Sequence, residues 1–230
     1  MDIKQRLAAL AVPFATLLAA APVGAQTHGR VTRSSVDSQG SEANGPSGGY
    51  PAISADGRFV AFVSDASNLV PGDTNLDADV FVHDHLTGVT ERVSVAWNGN
   101  EARDDSRCPS ISSDGRYVAF LSRAWNLYKG GANLGHPRWD VFVRDRQAGT
   151  TTRVSVAADG TDPDADSECP SISGDGHLVA FGSYASNLAA GTPNRYGDVF
   201  VVDWQAHATR RVTVAADGGL ATGGSSQAHL

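Results

Sequence analysis

This chain writes one segment three times. Ser54–Ser64 (SADGRFVAFVS), Ser112–Ser122 (SSDGRYVAFLS) and Ser173–Ser183 (SGDGHLVAFGS) align without a gap. A strand-like run follows each copy: Asp79–Asp84, Asp140–Asp145 and Asp198–Asp203, all opening with DVFV. Each unit then closes on RVSVA or RVTVA, beginning at Arg92, Arg153 and Arg211. The period is 58 residues from Pro51 to Pro109 and 61 from Pro109 to Pro170. Self-similarity on this scale prescribes a repeat architecture, in which one unit cannot bury its apolar side alone and neighbours stack to share a core.

Within a unit the residues read as four strands. Strand A is the run after the proline, as in Pro109–Ser112. Strand B is RFVAFVS and its copies, strand C is DVFV, and strand D is RVSVA. Val, Phe, Ile and Thr dominate, as pleated positions favour. Strand B is apolar at nearly every position (Phe59, Val60, Ala61, Phe62, Val63), so both its faces need cover, and a sheet between copies of itself has that cover. Asp56-Gly57, Asp114-Gly115 and Asp175-Gly176 mark tight A–B hairpins, because glycine accepts φ > 0. Short turns such as Leu86-Thr87-Gly88 join C to D. The B–C and D–A links are long, as in Asp65–Ala78 and Trp97–Cys108. In an up-and-down sheet the long links leave from one edge, so they should crowd one face, where binding usually resides. No segment after residue 25 shows a helical period over ten residues.

The pattern P-x-I-S-x-D-G-x-x-V-A-F followed by D-V-F-V resembles the WD-like propeller repeat of the TolB type, over about Tyr50–Ala216. The resemblance implies a four-stranded blade with strand A innermost, and it is nearly silent on function. The expected fold is therefore all-β: a β-propeller-like array of three four-stranded antiparallel blades, covering 50–107, 108–168 and 169–216. The period exceeds that of a WD blade, with the excess in the two long loops. Three blades fall short of the four to eight that typically close a ring, so an incomplete, open propeller is expected. Arg30–Val36 reads as one leftover strand D within the segment 26–49, and 217–230 as a flexible tail rich in Gly and Ser. An open arc leaves apolar blade faces bare. Either further chains complete the ring by self-association, or the chain is a shortened relative; the second is favoured.

Lys4 and Arg6, the apolar Leu7–Ala21 and Val23-Gly24-Ala25 have the layout of a secretory signal peptide over 1–25. A membrane anchor is the weaker alternative, since Pro13 and Pro22 interrupt a stretch too short to span. A periplasmic or secreted protein without stable membrane insertion is expected. Of 18 basic and 25 acidic side chains, Lys4, Arg6 and Asp2 fall in this segment, leaving 16 and 24. That acidic balance argues against nucleic acid, which needs a basic surface. Cys108 and Cys169 occupy equivalent positions before Pro109 and Pro170, where the first unit has Tyr50. Export permits a disulfide, but the bond needs Cα atoms within about 7 Å, which matching points on neighbouring units reach only near a central axis. Two buried thiols are the alternative.

Five constellations are candidates for chemistry. Asp73, Asn75, Asp77 and Asp79 place oxygen ligands at alternate loop positions, which suits calcium. The pattern does not recur, and Asn75 and Asp79 alone have counterparts (Asn133, Asp140; Asn194, Asp198), as a structural turn would. Asp162, Asp164, Asp166 and Glu168 form a second acidic run that should project from the same face. Trp125 and Trp139 flank a long loop near Tyr128 and His136, where an aromatic platform could stack on a sugar or hold a partner loop. His83 and His85 share a strand face, but variable surface side chains explain them better. Gly45–Gly49 matches G-x-S-x-G by letter without the strand and helix a nucleophile elbow needs. These residues suit an exported, non-catalytic module binding a protein or cell-envelope component through its long-loop face. The other reading is a propeller fragment or accessory domain of a secreted hydrolase or lyase.

Overall fold

The structure is a computed structural model that describes residues 31–129, 138–157, 159–190 and 197–215. Arg33–Leu230 is one compact unit; of the other, Met1–Thr32, only Val31 and Thr32 are described. The leader-like segment, Arg30, Asn133, His136, Asn194 and the tail 217–230 lie outside the described residues.

Among the described residues twelve strands form three four-stranded antiparallel sheets, each in sequence order. Blade 1 contains β1 (Ser47–Ile53), β2 (Phe59–Ser64), β3 (Asp79–Asp84) and β4 (Thr90–Arg92). Blade 2 contains β5 (Ser106–Ile111), β6 (Tyr117–Ser122), β7 (Asp140–Asp145) and β8 (Thr150–Arg153). Blade 3 contains β9 (Ser171–Ile172), β10 (Leu178–Ser183), β11 (Asp198–Asp203) and β12 (Ala208–Arg211). The first strands of successive blades are neighbours, as spokes are at a hub. This is the expected open, propeller-like array.

Apolar residues on both sides of the middle strands build the cores between blades. Ala61, Val80 and Val82 of blade 1 pack with Ile111, Val118 and Phe120 of blade 2. Ala119, Val141 and Val143 of blade 2 pack likewise with Ile172, Val179 and Phe181 of blade 3. Phe62 and Phe81 pair across strands in blade 1 with ring centroids 5.8 Å apart, as Phe120 and Phe142 do in blade 2. The Asp-Gly hairpins follow the sequence. Ser54 Oγ donates to Asp56 Oδ1 (2.6 Å), Arg58 N–H donates to the same oxygen (3.0 Å), and Gly57 takes φ +74°. Blades 2 and 3 repeat this with Ser112/Asp114 and Ser173/Asp175.

Two expectations need correction. Strand A begins before its proline in blades 1 and 2, with a register shift at Tyr50 and Cys108, both at positive φ (48° and 52°). Proline lacks the N–H that a ladder needs, and the bulge absorbs that gap. Strand D, expected at RVSVA, lies upstream and stops at the arginine. Alternating valines mimic a strand there, but the polar residue between them turns its side chain into the sheet. Ser94 Oγ accepts Val80 N–H at 3.1 Å, Ser155 Oγ accepts Val141 N–H at 3.0 Å, and Thr213 Oγ1 accepts Val199 N–H at 3.2 Å.

The segment expected as a leftover strand forms no ladder over its described residues; Val36 bridges Glu42 in isolation, as Val95 bridges Glu101. Residues 33–43 therefore match 92–102, the connection leaving a blade, and dock on blade 1 from outside. Thr90 Oγ1 donates to the Val36 carbonyl (2.5 Å) just as Thr151 Oγ1 donates to the Val95 carbonyl (2.5 Å).

Cys108 and Cys169 are bonded to each other, with Cα atoms 5.3 Å apart. The alternative of two thiols gives way to a staple between the inner edges of blades 2 and 3.

Candidate binding face

Strand direction puts both long links of each blade at one end of its sheet. The first layer of this face is a repeated lock where strand C begins. Asp79 is buried, and its carboxylate accepts from Ser94 Oγ (2.5 Å), Asn75 Nδ2 (3.1 Å) and Arg92 Nη1 (3.2 Å). Asp140 accepts from Ser155 Oγ (2.7 Å) and faces Arg153 at 3.7 Å. Asp198 accepts from Thr213 Oγ1 (2.7 Å) and faces Arg211 at 3.3 Å. Burial pushes the Asp79 and Asp140 carboxyls up to about 6, against the lowering pull of the serine and arginine.

Of the four residues expected around calcium, Asp73 and Asp79 come together, and Arg92 Nη1 lies 3.3 Å from Asp73, 3.2 Å from Asp79 and 3.3 Å from Glu101. Asn75 donates to Asp79 and to the Ala102 carbonyl (2.9 Å). Asp77 does not join them; burial raises its carboxyl, and Asp104, Asp105 and Glu101 raise it further. Among the described residues no group of three or more His, Cys, Asp or Glu side chains is arranged to hold a metal ion.

The second layer is a clamp between the two long links. Asn126 Oδ1 accepts Arg103 N–H (3.0 Å), and its Nδ2 donates to the Glu101 carbonyl (2.8 Å). Asn68 makes the same pair of bonds to Asn44 N–H and the Glu42 carbonyl, both at 2.9 Å. Asn187 makes them to Asp164 N–H (3.1 Å) and the Asp162 carbonyl (2.9 Å). The leucine after each asparagine, Leu69, Leu127 or Leu188, is fully buried. The signal is legible as A-x-N-L, recurring at Ala66, Ala124 and Ala185.

The second acidic run is absorbed into these ties. Asp162 pairs with Arg153 Nη2 (2.7 Å) and accepts from the Tyr128 hydroxyl (3.2 Å). Asp164 accepts Ser186 N–H (2.7 Å) and the Ser186 hydroxyl, and Asp166 accepts Trp139 N–H (3.0 Å). Arg153 and Ser186 hold the Asp162 and Asp164 carboxyls below the usual range. The two tryptophans do not form a bare platform. Arg103 lies over Trp125, and both Arg107 and Arg123 lie over Trp139, at 5.4–5.5 Å from the ring centroids. Large apolar side chains that the same links leave exposed are Leu76, Trp97 and Tyr184, none of which the sequence pattern singled out.

His83 and His85 do meet, in a T-shaped contact at 4.9 Å. His83 Nδ1 lies 2.8 Å from Thr90 Oγ1 and His85 Nε2 lies 3.1 Å from Ser34 Oγ, so both serve the docked N-terminal segment.

No family model matches this chain, and no curated protein matches it. Solved structures do. TolB from Acinetobacter baumannii is similar at 16% identity over 76% of this chain and 34% of that chain, with a TM-score of 0.44. A putative TolB from Agrobacterium tumefaciens is similar at 19% identity over 72% and 48%, with a TM-score of 0.46. The β-propeller domain of the Trilobed protease from Pyrococcus furiosus, with an open velcro topology, is similar at 12% identity over 70% and 40%, with a TM-score of 0.44. The chain thus spans about a third to a half of their length. The propeller-like arrangement itself rests on the chain's own three four-stranded antiparallel blades.

Proposed function

We propose that this chain is an exported, non-catalytic propeller module that binds a protein or another cell-envelope component through its loop face. The observation that carries this is a division of labour among the loop side chains. Asp73, Asp79, Asp162, Asp164 and Asp166 are taken up in ties within and between loops, while Leu76, Trp97 and Tyr184 stay exposed on the segments so held. Carboxylates engaged in this way hold shape rather than move protons. Exposed aromatic and aliphatic residues on a rigid frame are the usual anchors of an interface. No helix among the described residues is long and apolar enough to cross a membrane. The Cys108–Cys169 bond suits an oxidising compartment outside the cytoplasm.

The test compares the chain Gln26–Leu230 with a variant carrying Leu76→Ser, Trp97→Ser and Tyr184→Ser. Both are immobilised and exposed to envelope extract, and a panel of glycosidic and peptide substrates is assayed in parallel. Specific capture by the first and its loss in the second, with unchanged melting, is expected. Equal capture by both removes the loop face from the reading, and turnover of any substrate removes the non-catalytic part. Fractionation of cells making the full chain checks export.

A further inference from the structure

We propose that two copies of this chain dock end to end, the exposed side of blade 1 in one copy against the exposed side of blade 3 in the other, and close a six-bladed ring. The contacts between blades inside the chain are the template. Ile111 and Ile172, on the first strands of blades 2 and 3, are packed against the preceding blade and are 9% and 4% exposed; Ile53, their counterpart on blade 1, is 62% exposed. At the other end, Phe59 and Tyr117 each lie under the hairpin glycine of the following blade. A Cβ on Gly115 would fall 2.1 Å from Phe59, and one on Gly176 would fall 2.1 Å from Tyr117. Their counterpart on blade 3, Leu178, is 36% exposed, and among the described residues a Cβ on Gly57 of blade 1 would meet nothing nearer than Ile53 of its own blade, at 4.0 Å. One end has the apolar side chain without its glycine, and the other has the glycine without its side chain.

The backbone repeats this complementarity. Ala55 N–H donates to the Ser113 carbonyl (3.0 Å), and Ser113 N–H donates to the Gly174 carbonyl (2.8 Å). The next link of that series takes the Gly174 N–H of one copy to the Ala55 carbonyl of the other, a donor turn and an acceptor turn that docking brings together. Two copies supply six blades, within the four to eight at which propellers close, whereas three copies would supply nine.

Docking has a consequence for the N-terminal segment. Arg33–Val36 of one copy and Arg211–Val214 of the other correspond to the same blade position, so only one can occupy it. Val93 and Val154 are buried there, and Val212 is their apolar match, whereas Ser34 is not. The N-terminal residues therefore yield to the incoming strand end, and they restrain association while they stay docked.

The experiment measures mass by light scattering after gel filtration for Gln26–Leu230, for a form lacking residues 26–36, and for Ile53→Asp and Leu178→Asp. The expected result is a dimer whose share rises several-fold when residues 26–36 are removed. Each aspartate variant should be monomeric with unchanged melting, since both positions are exposed in the single chain. An equimolar mixture of the two should recover a dimer, because it restores one native junction. Monomers for both unsubstituted forms, or a dimer indifferent to both aspartates, overturns the proposal and leaves these faces to another occupant.

Discussion

Ser94 completes the sheet for Asp79. Its hydroxyl accepts the Val80 N–H that a fourth strand would otherwise take, and donates to the buried carboxylate of the residue before (3.1 and 2.5 Å). One side chain thus closes a ladder and satisfies a charge. Ser94→Ala should leave the Val80 N–H without its acceptor and Asp79 Oδ1 without its donor in a buried site, while Asn75 and Arg92 still hold the other carboxylate oxygen, and cost about 1–3 kcal/mol. Ser155→Ala should cost about the same in blade 2. Ser155→Thr should be nearly neutral, because Thr213 performs the same task in blade 3. Equilibrium unfolding in urea reads all three, and a Ser94→Ala variant as stable as the parent would refute the role.

The same carboxyls set a pH dependence. Asp79 and Asp140 rise from 3.8 to about 6 on folding. Between those values the folded chain keeps protons that the unfolded chain has released, so the stability from these two groups is full below about pH 4 and lost as pH rises through about 6. Arg58 holds Asp84 below the usual carboxylate range, and Arg116 does so for Asp145. Those contributions are present above 3.8 and are lost as pH falls below it. Melting temperature should therefore peak on the acid side, at roughly pH 4–5, and decline toward neutrality. The double change Asp79→Asn and Asp140→Asn should flatten that decline; a parent whose melting temperature climbs steadily from pH 4 to 7 would contradict the assignment.

The Asn-Leu clamps predict where loop rigidity comes from. Asn126→Ala removes bonds to Arg103 N–H and the Glu101 carbonyl while leaving the blades intact. Amide exchange should then speed up over 101–105 and 123–128, with little change in β6 and β7. Uniform acceleration across blade 2 would mean that the asparagine supports the whole blade instead.

What the sequence shows and hides follows from the range of each interaction. Asp56-Gly57 and Ser54 form a turn among neighbours, so the hairpin is readable by eye. The apolar run Phe59–Val63 announces two covered faces because burial acts on every residue of the strand. Strand D is different. Val93-Ser94-Val95 alternates as a strand does, and only the position of Asp79 across the blade reveals that Ser94 is pairing with its side chain. Arg92 is equally opaque: its partners Asp73 and Asp79 are many residues away, and carboxylates at alternate positions look alike whether they await a metal ion or a guanidinium. Asn126 is half legible: its letter recurs as Asn68 and Asn187, but the backbone atoms that all three tie lie more than twenty residues away in the chain and do not show in the local pattern.

Cys108 and Cys169 are separated by 61 residues, and closing a loop of that size restricts the unfolded chain by about 4 kcal/mol in the chain-entropy view. Changing both to serine should lower stability by up to that amount, and reductant should lower the parent to the same level. The loss should fall on blades 2 and 3, while amide protection in β2 and β3 is retained. Equal stability of the oxidised and reduced parent would show that the inner edges hold without the bond.

Arg92 is the last case, because it decides what holds the first long loop. Its guanidinium faces Asp73, Asp79 and Glu101 within 3.3 Å and is itself nearly buried. With that positive charge in place, calcium or a chelator should leave the melting temperature of the parent unchanged. Arg92→Met removes the charge but keeps most of the packing volume, and three carboxylates then confront one another. Breaking a buried pair by deleting one partner costs about 3–5 kcal/mol, and calcium should recover part of that loss in the variant alone, since a cluster of hard oxygens now has no cation of its own. Stabilisation of the parent by calcium, abolished by Asp73→Ala, would instead place a metal ion beside the arginine and return the loop to the ligand role its spacing first suggested.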